Sequence, residues 1–94
     1  LQGSEQMVSA TVQVQNTLGL HARPISKLVK AFSANPAKIT ITRGERTADA
    51  KSIYDMMALG AKCGEILHVS VDGENEAQTL QAVVELFDKR FNET

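Results

Sequence analysis

The apolar residues of this chain switch repeatedly between a period of two and a period near 3.6. That switching constrains the fold more than any other feature. A period of two puts alternate side chains on opposite faces of a strand, whereas a period of 3.6 gathers them on one stripe of a helix. From Val8 to Gln15, Ala10, Val12 and Val14 fall on one face and Thr11, Gln13 and Gln15 on the other, which predicts a half-buried strand. From Ala22 the period turns helical, with Ile25, Leu28, Val29 and Phe32 at i, i+3, i+4 and i+7. Asn35-Pro36 disfavours continuation, so this helix is expected to stop near Ser33. Lys38 to Arg43 alternates again and is β-branched, predicting a second strand with Ile39 and Ile41 inward. Gly44-Glu45 suits a tight turn into a third, short strand from Arg46 to Ala50.

Ser52 then opens a short helix, with Asp55 three residues on, a near relative of the capping box that normally uses Glu. Met56 and Leu59 are its expected core residues, and Gly60 and Gly64 bracket its end. Glu65 to Asp72 reads as a fourth strand, with Leu67, Val69 and Val71 on one face. Asp72-Gly73 turns the chain into a last helix from about Asn75 or Glu76 to Phe91, with Leu80, Val83, Val84, Phe87 and Phe91 on its buried stripe. Acids at Glu74 and Glu76 and bases at Lys89 and Arg90 suit its dipole.

The order βαββαβα, with alternating strands and amphipathic helices, predicts an α+β fold of two layers. Three helices cover one face of a four-stranded antiparallel sheet, and the other face is open to water. A length of 94 residues allows one domain with a modest core, assigned to residues 8–94. The stretch 1–7 is expected to be a cloning remnant or a disordered N-terminus, with Met7 a plausible native start. A net charge of −1 offers no electrostatic case for nucleic acid. No apolar run approaches the roughly 20 residues that span a bilayer. Cys63 is the sole cysteine, which excludes an internal disulfide and fits a cytoplasmic setting. A metal site built on paired cysteines is likewise excluded, and no cofactor is expected. No Ser–His–acid pattern points to a self-contained hydrolase. His68 falls on the polar face of its strand and reads as surface.

The string Leu18-Gly19-Leu20-His21-Ala22-Arg23-Pro24 lies where strand gives way to helix. Pro24 is tolerated in a first helical turn because the N–H it lacks would have no partner there. His21 then sits at the cap, although Ser, Thr, Asp and Asn are the favoured caps. Arg23 opposes the helix dipole, at a cost of about 0.3–1 kcal/mol. Two unfavourable choices side by side point to a site, and both become sensible if an anion binds at this helix end. With a reference pKa near 6.5, the imidazole offers a neutral lone pair at neutral pH beside that helix end.

Gly19-Leu20-His21-Ala22-Arg23-Pro24 resembles the active-site signature of the HPr family, histidine phosphocarriers of the bacterial phosphoenolpyruvate-dependent phosphotransferase system. Lys51-Ser52-Ile53-Tyr54-Asp55-Met56-Met57-Ala58-Leu59-Gly60 resembles that family's second signature, which surrounds a serine phosphorylated in many members. The resemblance spans about Val8 to Phe91 and implies an open-faced β-sandwich. It implies that His21, through Nδ1, takes a phosphoryl group from enzyme I and passes it to EIIA domains for sugar uptake. Arg23 would be its electrostatic partner, with Gly19, Ala22 and Pro24 supporting.

The resemblance further implies a monomer that docks through Ile53, Tyr54 and Met57, with Ser26 and Lys30 at the rim. Ser52 reads both as an ordinary N-cap and, by resemblance, as a regulatory site for a kinase and phosphatase. Asp55 departs from the uncharged or basic residue found in many members, and the tail Glu85-Leu86-Phe87-Asp88-Lys89-Arg90-Phe91 is longer than in the best-known carriers. That tail is similar to the nitrogen-branch paralogue NPr, an alternative to the sugar branch. A carrier domain excised from a multidomain phosphotransferase protein is a further alternative.

Overall fold

A computed structural model describes residues 7–93. Leu1 to Gln6, expected from sequence to be a remnant or leader, lie outside the described residues. The elements follow in the order β1 (Val8–Gln13), α1 (Ala22–Phe32), β2 (Lys38–Arg43), β3 (Arg46–Asp49), α2 (Ile53–Leu59), β4 (Ile66–Asp72) and α3 (Glu76–Asp88), with a closing 3-10 turn at Arg90–Asn92. The strands form one antiparallel sheet in the order β1-β4-β2-β3.

Register explains the two faces. Ala10, Val69, Ile41 and Ala48 align across all four strands, and the neighbouring row is Thr11, His68, Thr42 and Thr47. Because side chains alternate, the first row points to the helices and the second to water. Val69, Ile41 and Ala48 are buried, while Thr11, His68 and Thr47 are exposed. Ile25 and Leu28 of α1, Met56 and Leu59 of α2, and Val83 and Phe87 of α3 complete one core with the inner row. Each such side chain contributes roughly 1.5–3 kcal/mol by leaving water. This is the open-faced α+β sandwich that the periodicity predicts.

Strand pairing continues slightly beyond the regular spans. Val14 N–H donates to the Glu65 carbonyl at 2.9 Å, and Ala50 N–H to the Ile39 carbonyl at 3.0 Å. The one clear departure lies at the C-terminal end. The last helix does not run to Phe91, as its apolar spacing predicts, but ends at Asp88. Arg90, Phe91 and Asn92 then take left-handed backbone angles (φ 54°, 53° and 61°). Lys89 and Arg90 therefore fall beyond the last helical turn, which holds no base. Phe91 is still buried, packed edge-on against Phe87 with ring centroids 4.9 Å apart. Burial of this ring explains how residues with side chains are held in a conformation that costs them roughly 1–2 kcal/mol each.

Candidate functional site

The loop before α1 is shaped to present His21. Gly19 has φ +74°, and a Cβ there would lie 2.8 Å from the Ala61 carbonyl oxygen, so both backbone angle and close approach demand glycine. Leu20 N–H donates to that same Ala61 carbonyl at 3.0 Å, and His21 N–H to the Gly19 carbonyl at 3.1 Å. His21 is the N-cap of α1, with an extended backbone and no side-chain capping bond. The first helical hydrogen bond runs from Ile25 N–H to the His21 carbonyl at 3.2 Å. Pro24 has no N–H, which leaves Ala22 and Arg23 as first-turn amides without a backbone acceptor. No acid occupies this turn. The helix end thus keeps its donors and its partial positive charge.

His21 lines an open concavity of about 420 Å³ together with Asn16, Thr17, Leu18, Arg23, Lys27, Asn92 and Glu93. The imidazole is 37% exposed, and the Arg23 side chain is 76% exposed. Glu93 enters from the C-terminal turn. Its Oε1 lies 3.6 Å from His21 Nε2, and its Oε2 lies 3.8 Å from Arg23 Nε and 3.7 Å from Lys27 Nζ. Two bonds pin the turn in place: Asn16 Nδ2 donates to the Arg90 carbonyl and Lys27 Nζ to the Phe91 carbonyl, each at 2.9 Å.

Gly19, His21, Ala22, Arg23 and Pro24 therefore come together as the motif predicts. Asn16, Lys27 and Glu93 escaped the sequence reading, and Leu18 entered it only as the first residue of the loop string. Lys27 carried a signal, since it stands one turn from Arg23 and two cations at i and i+4 repel unless an anion lies between them. Asn16, 4% exposed, carried none. Ser26 is half-buried and Lys30 exposed in the last turn of α1; neither lines the concavity.

Ser52 is the N-cap of α2, and its Oγ accepts the Asp55 N–H at 3.1 Å. The reciprocal half of the expected capping box is absent. Ser52 N–H donates to the Asp49 carbonyl at 2.9 Å, and the Asp55 carboxylate accepts the Asp49 N–H at 3.0 Å. Aspartate is one methylene shorter than the usual glutamate, and here it ties α2 to the end of β3. Met56 and Leu59 are buried as expected, whereas Ile53 and Met57 are about half exposed and Tyr54 is 89% exposed. Leu18, in the His21 loop, adds another exposed apolar side chain at 78%. α2 packs beside α1.

At the far end of α2, Arg43 makes a two-pronged ion pair with Glu65, both contacts at 2.9 Å, and also donates to the Leu59 carbonyl at 3.2 Å. The Arg43 hydrogen bonds, followed by the Lys62 backbone N–H, hold the Glu65 carboxyl below its ordinary range; the same pairing raises Arg43.

Among the described residues, no group of three or more His, Cys, Asp or Glu side chains is placed to hold a metal ion. Cys63 is exposed. No described helix is long and apolar enough to cross a membrane.

An open-faced sandwich that sets a partly exposed imidazole at a helix start, beside a guanidinium and unused amides, defines a domain with an open anion-receiving helix end. Residues 8–89 match the family model PTS-HPr, described as the PTS HPr component phosphorylation site. The chain is 42% identical to the phosphocarrier protein HPr of Xylella fastidiosa, over 93% of this chain and 98% of that one. It is 33% identical to the phosphocarrier protein NPr of Klebsiella oxytoca, over 92% and 97%. The crystal structure of HPr-C-His from Thermoanaerobacter tengcongensis superimposes with a TM-score of 0.87 at 31% identity, covering 93% of this chain and 98% of that one.

The chain belongs to the HPr family. It is an HPr/NPr-type phosphocarrier of the phosphotransferase system, a family whose members interact with enzymes such as enzyme I and EIIA.

Proposed function

We propose that His21 carries the phosphoryl group, received from phosphorylated enzyme I and handed to EIIA domains in sugar uptake. The observation that carries this reading is the open N-cap of α1, where the imidazole is half exposed and the first-turn amides of Ala22 and Arg23 have no backbone acceptor. Nδ1, which the family resemblance implies, is taken as the reacting nitrogen, and the Glu93 carboxylate facing Nε2 supports that choice. Transfer through a loose transition state depends on positioning and charge neutralisation. Arg23 supplies the mobile charge, Gly19 and Pro24 fix the backbone, and the phosphate is received at the helix end. The partner enzymes supply the remainder.

Docking uses the exposed side chains of Ile53, Tyr54 and Met57 together with Leu18, and Ser26 and Lys30 of the neighbouring α1 are proposed as its rim. Methionine adapts to several partners in turn. The protein acts as a cytoplasmic monomer making brief contacts. Phosphorylation of Ser52 by a kinase, reversed by a phosphatase, would set negative charge beside this surface and weaken docking to an acidic partner. Ser52→Asp is expected to lower enzyme I affinity, and unchanged affinity would remove the regulatory role.

A nitrogen-branch role is the second reading, favoured by the NPr relative. Comparing the sugar- and nitrogen-branch enzyme I paralogues as donors separates the two. The site itself is tested by labelling with phosphoenolpyruvate and a cognate enzyme I. Wild type is expected to gain an acid-labile, alkali-stable phosphate and His21→Ala none; equal labelling of both would refute the assignment.

A further inference from the structure

Glu93 is an unusual neighbour for a group that must take up a phosphoryl anion. Its side chain is only 13% exposed, and its Oε2 is buried without a hydrogen-bond partner. A carboxylate oxygen withdrawn from water loses several kcal/mol of solvation unless nearby charge compensates it. The compensation is divided between the two oxygens. Arg23 and Lys27 flank Oε2, while Oε1 is turned to Nε2 of His21. Lys27 also donates to the Phe91 carbonyl, and Asn16 to the Arg90 carbonyl, so the backbone that delivers Glu93 is fixed on both sides. The left-handed run Arg90–Asn92 brings the carboxylate back over α1, and the buried Phe91 ring anchors it.

We infer that Glu93 is a positioning residue for phosphoryl transfer: it holds the ring proton of His21 on Nε2 and so keeps the Nδ1 lone pair free to react. This rests on the assignment of His21 as the carrier. Neutral imidazole has one N–H and one lone pair, and the group facing one nitrogen decides which tautomer forms. At 3.6 Å the carboxylate acts through charge rather than as a full hydrogen bond. The Nδ1 lone pair attacks phosphorus. The Nδ1–P bond forms as the donor's bond to phosphorus breaks, and that electron pair stays with the donor. The Nε2 proton remains in place beside Glu93 as the ring becomes cationic. On onward transfer the Nδ1–P bond breaks, its pair returns to Nδ1, and the same tautomer is regenerated. One carboxylate therefore serves both acceptance and donation, which suits a carrier that must run in both directions.

His68, the only other histidine, is exposed on the far sheet face and supplies the tautomer ratio of an unassisted imidazole in the same sample. The test uses the full chain labelled with 15N, as wild type, Glu93→Ala and Glu93→Gln. In wild type the ratio of Nε2–H to Nδ1–H tautomer at His21 is expected to exceed that at His68 by about three- to tenfold, the weight of one modest polar interaction. Glu93→Ala is expected to bring His21 to the His68 ratio, and Glu93→Gln, which keeps an acceptor oxygen, to retain part of the excess. The kcat for transfer from enzyme I and to EIIA is expected to fall in Glu93→Ala, through the lost charge beside the ring as it becomes cationic more than through the small change in the reactive tautomer's fraction, with KM for either partner unchanged. An unchanged His21 ratio, a loss confined to KM, or faster transfer in Glu93→Ala would each overturn the inference. A wild-type protein that labels elsewhere than His21 would instead overturn the carrier assignment on which it rests.

Discussion

At the start of α1 the cap side chain makes no hydrogen bond, the first turn holds no acid, and Arg23 stands where the dipole disfavours a cation. At the start of α2 the Ser52 hydroxyl accepts the Asp55 N–H, an acid occupies the first turn, and its carboxylate binds the Asp49 N–H. The two beginnings use the same backbone geometry, an extended cap leading into helix. One keeps its donors free; the other has closed on itself. The contrast separates the helix end proposed to serve chemistry from one whose cap serves stability, and it places the proposed modification at Ser52 in competition with an existing cap bond.

The comparison can be broken most severely at the loop that presents α1. Gly19→Ala is expected to destabilise the fold by about 1–3 kcal/mol, because a side chain at positive φ is strained and its Cβ meets the Ala61 carbonyl. Denaturant midpoints check this, and a midpoint equal to wild type would show that the loop is not held as described.

Exchanging the cap chemistry sharpens the contrast. Ser52→Ala is expected to cost about 1 kcal/mol by removing a bond already made. His21→Ser is expected to leave stability unchanged or to raise it by up to about 1 kcal/mol, because it offers a capping oxygen where none is present. It should also abolish labelling. Thermal unfolding of the two variants side by side is the check, and a large loss of stability in His21→Ser would mean that the imidazole is structural after all.

The smallest effect concerns the far end of α2. Glu65 has a folded-state pKa below its unfolded value, so its contribution is present above about pH 4.5 and is lost as pH falls through the depressed value. Protection of the amides near Leu59 and Gly60, measured against their intrinsic exchange rates, is expected to fall in acid below pH 4.5, and in Glu65→Gln to be lower already at neutral pH. Exchange at those amides indifferent to both changes would show that the Arg43 clamp carries no weight.

Much of this architecture was legible because each element repeats a simple period. Ile39 and Ile41 fixed the inner face of β2, and Ile25, Leu28 and Phe32 fixed that of α1. The His21 and Ser52 caps were legible because Pro24 and the Ser-x-x-Asp spacing mark helix starts. The C-terminal turn was not. Phe91 continues the helical spacing from Phe87 and is buried as the spacing predicts, but the backbone reaches that position by a left-handed path. Neither Arg90 nor Phe91 carries any local preference for that path; it follows from packing across the molecule. Since Glu93 depends on the turn, its place beside His21 could not be read from the chain alone. The half-made capping box failed for a similar reason: whether Asp55 reaches Ser52 or Asp49 is decided by where β3 ends.

The ring at the open helix end of α1 is the proposed receiver of phosphorus. This assignment is tested most directly by phosphorylating the 15N-labelled protein with phosphoenolpyruvate and enzyme I and locating the phosphorus–nitrogen coupling. A coupling to Nδ1 of His21 and to no other nitrogen is expected, with the Ala22 and Arg23 amide signals moving together with it. A coupling at His68, or phosphate esterified at Ser52 with the His21 ring unaltered, would contradict it.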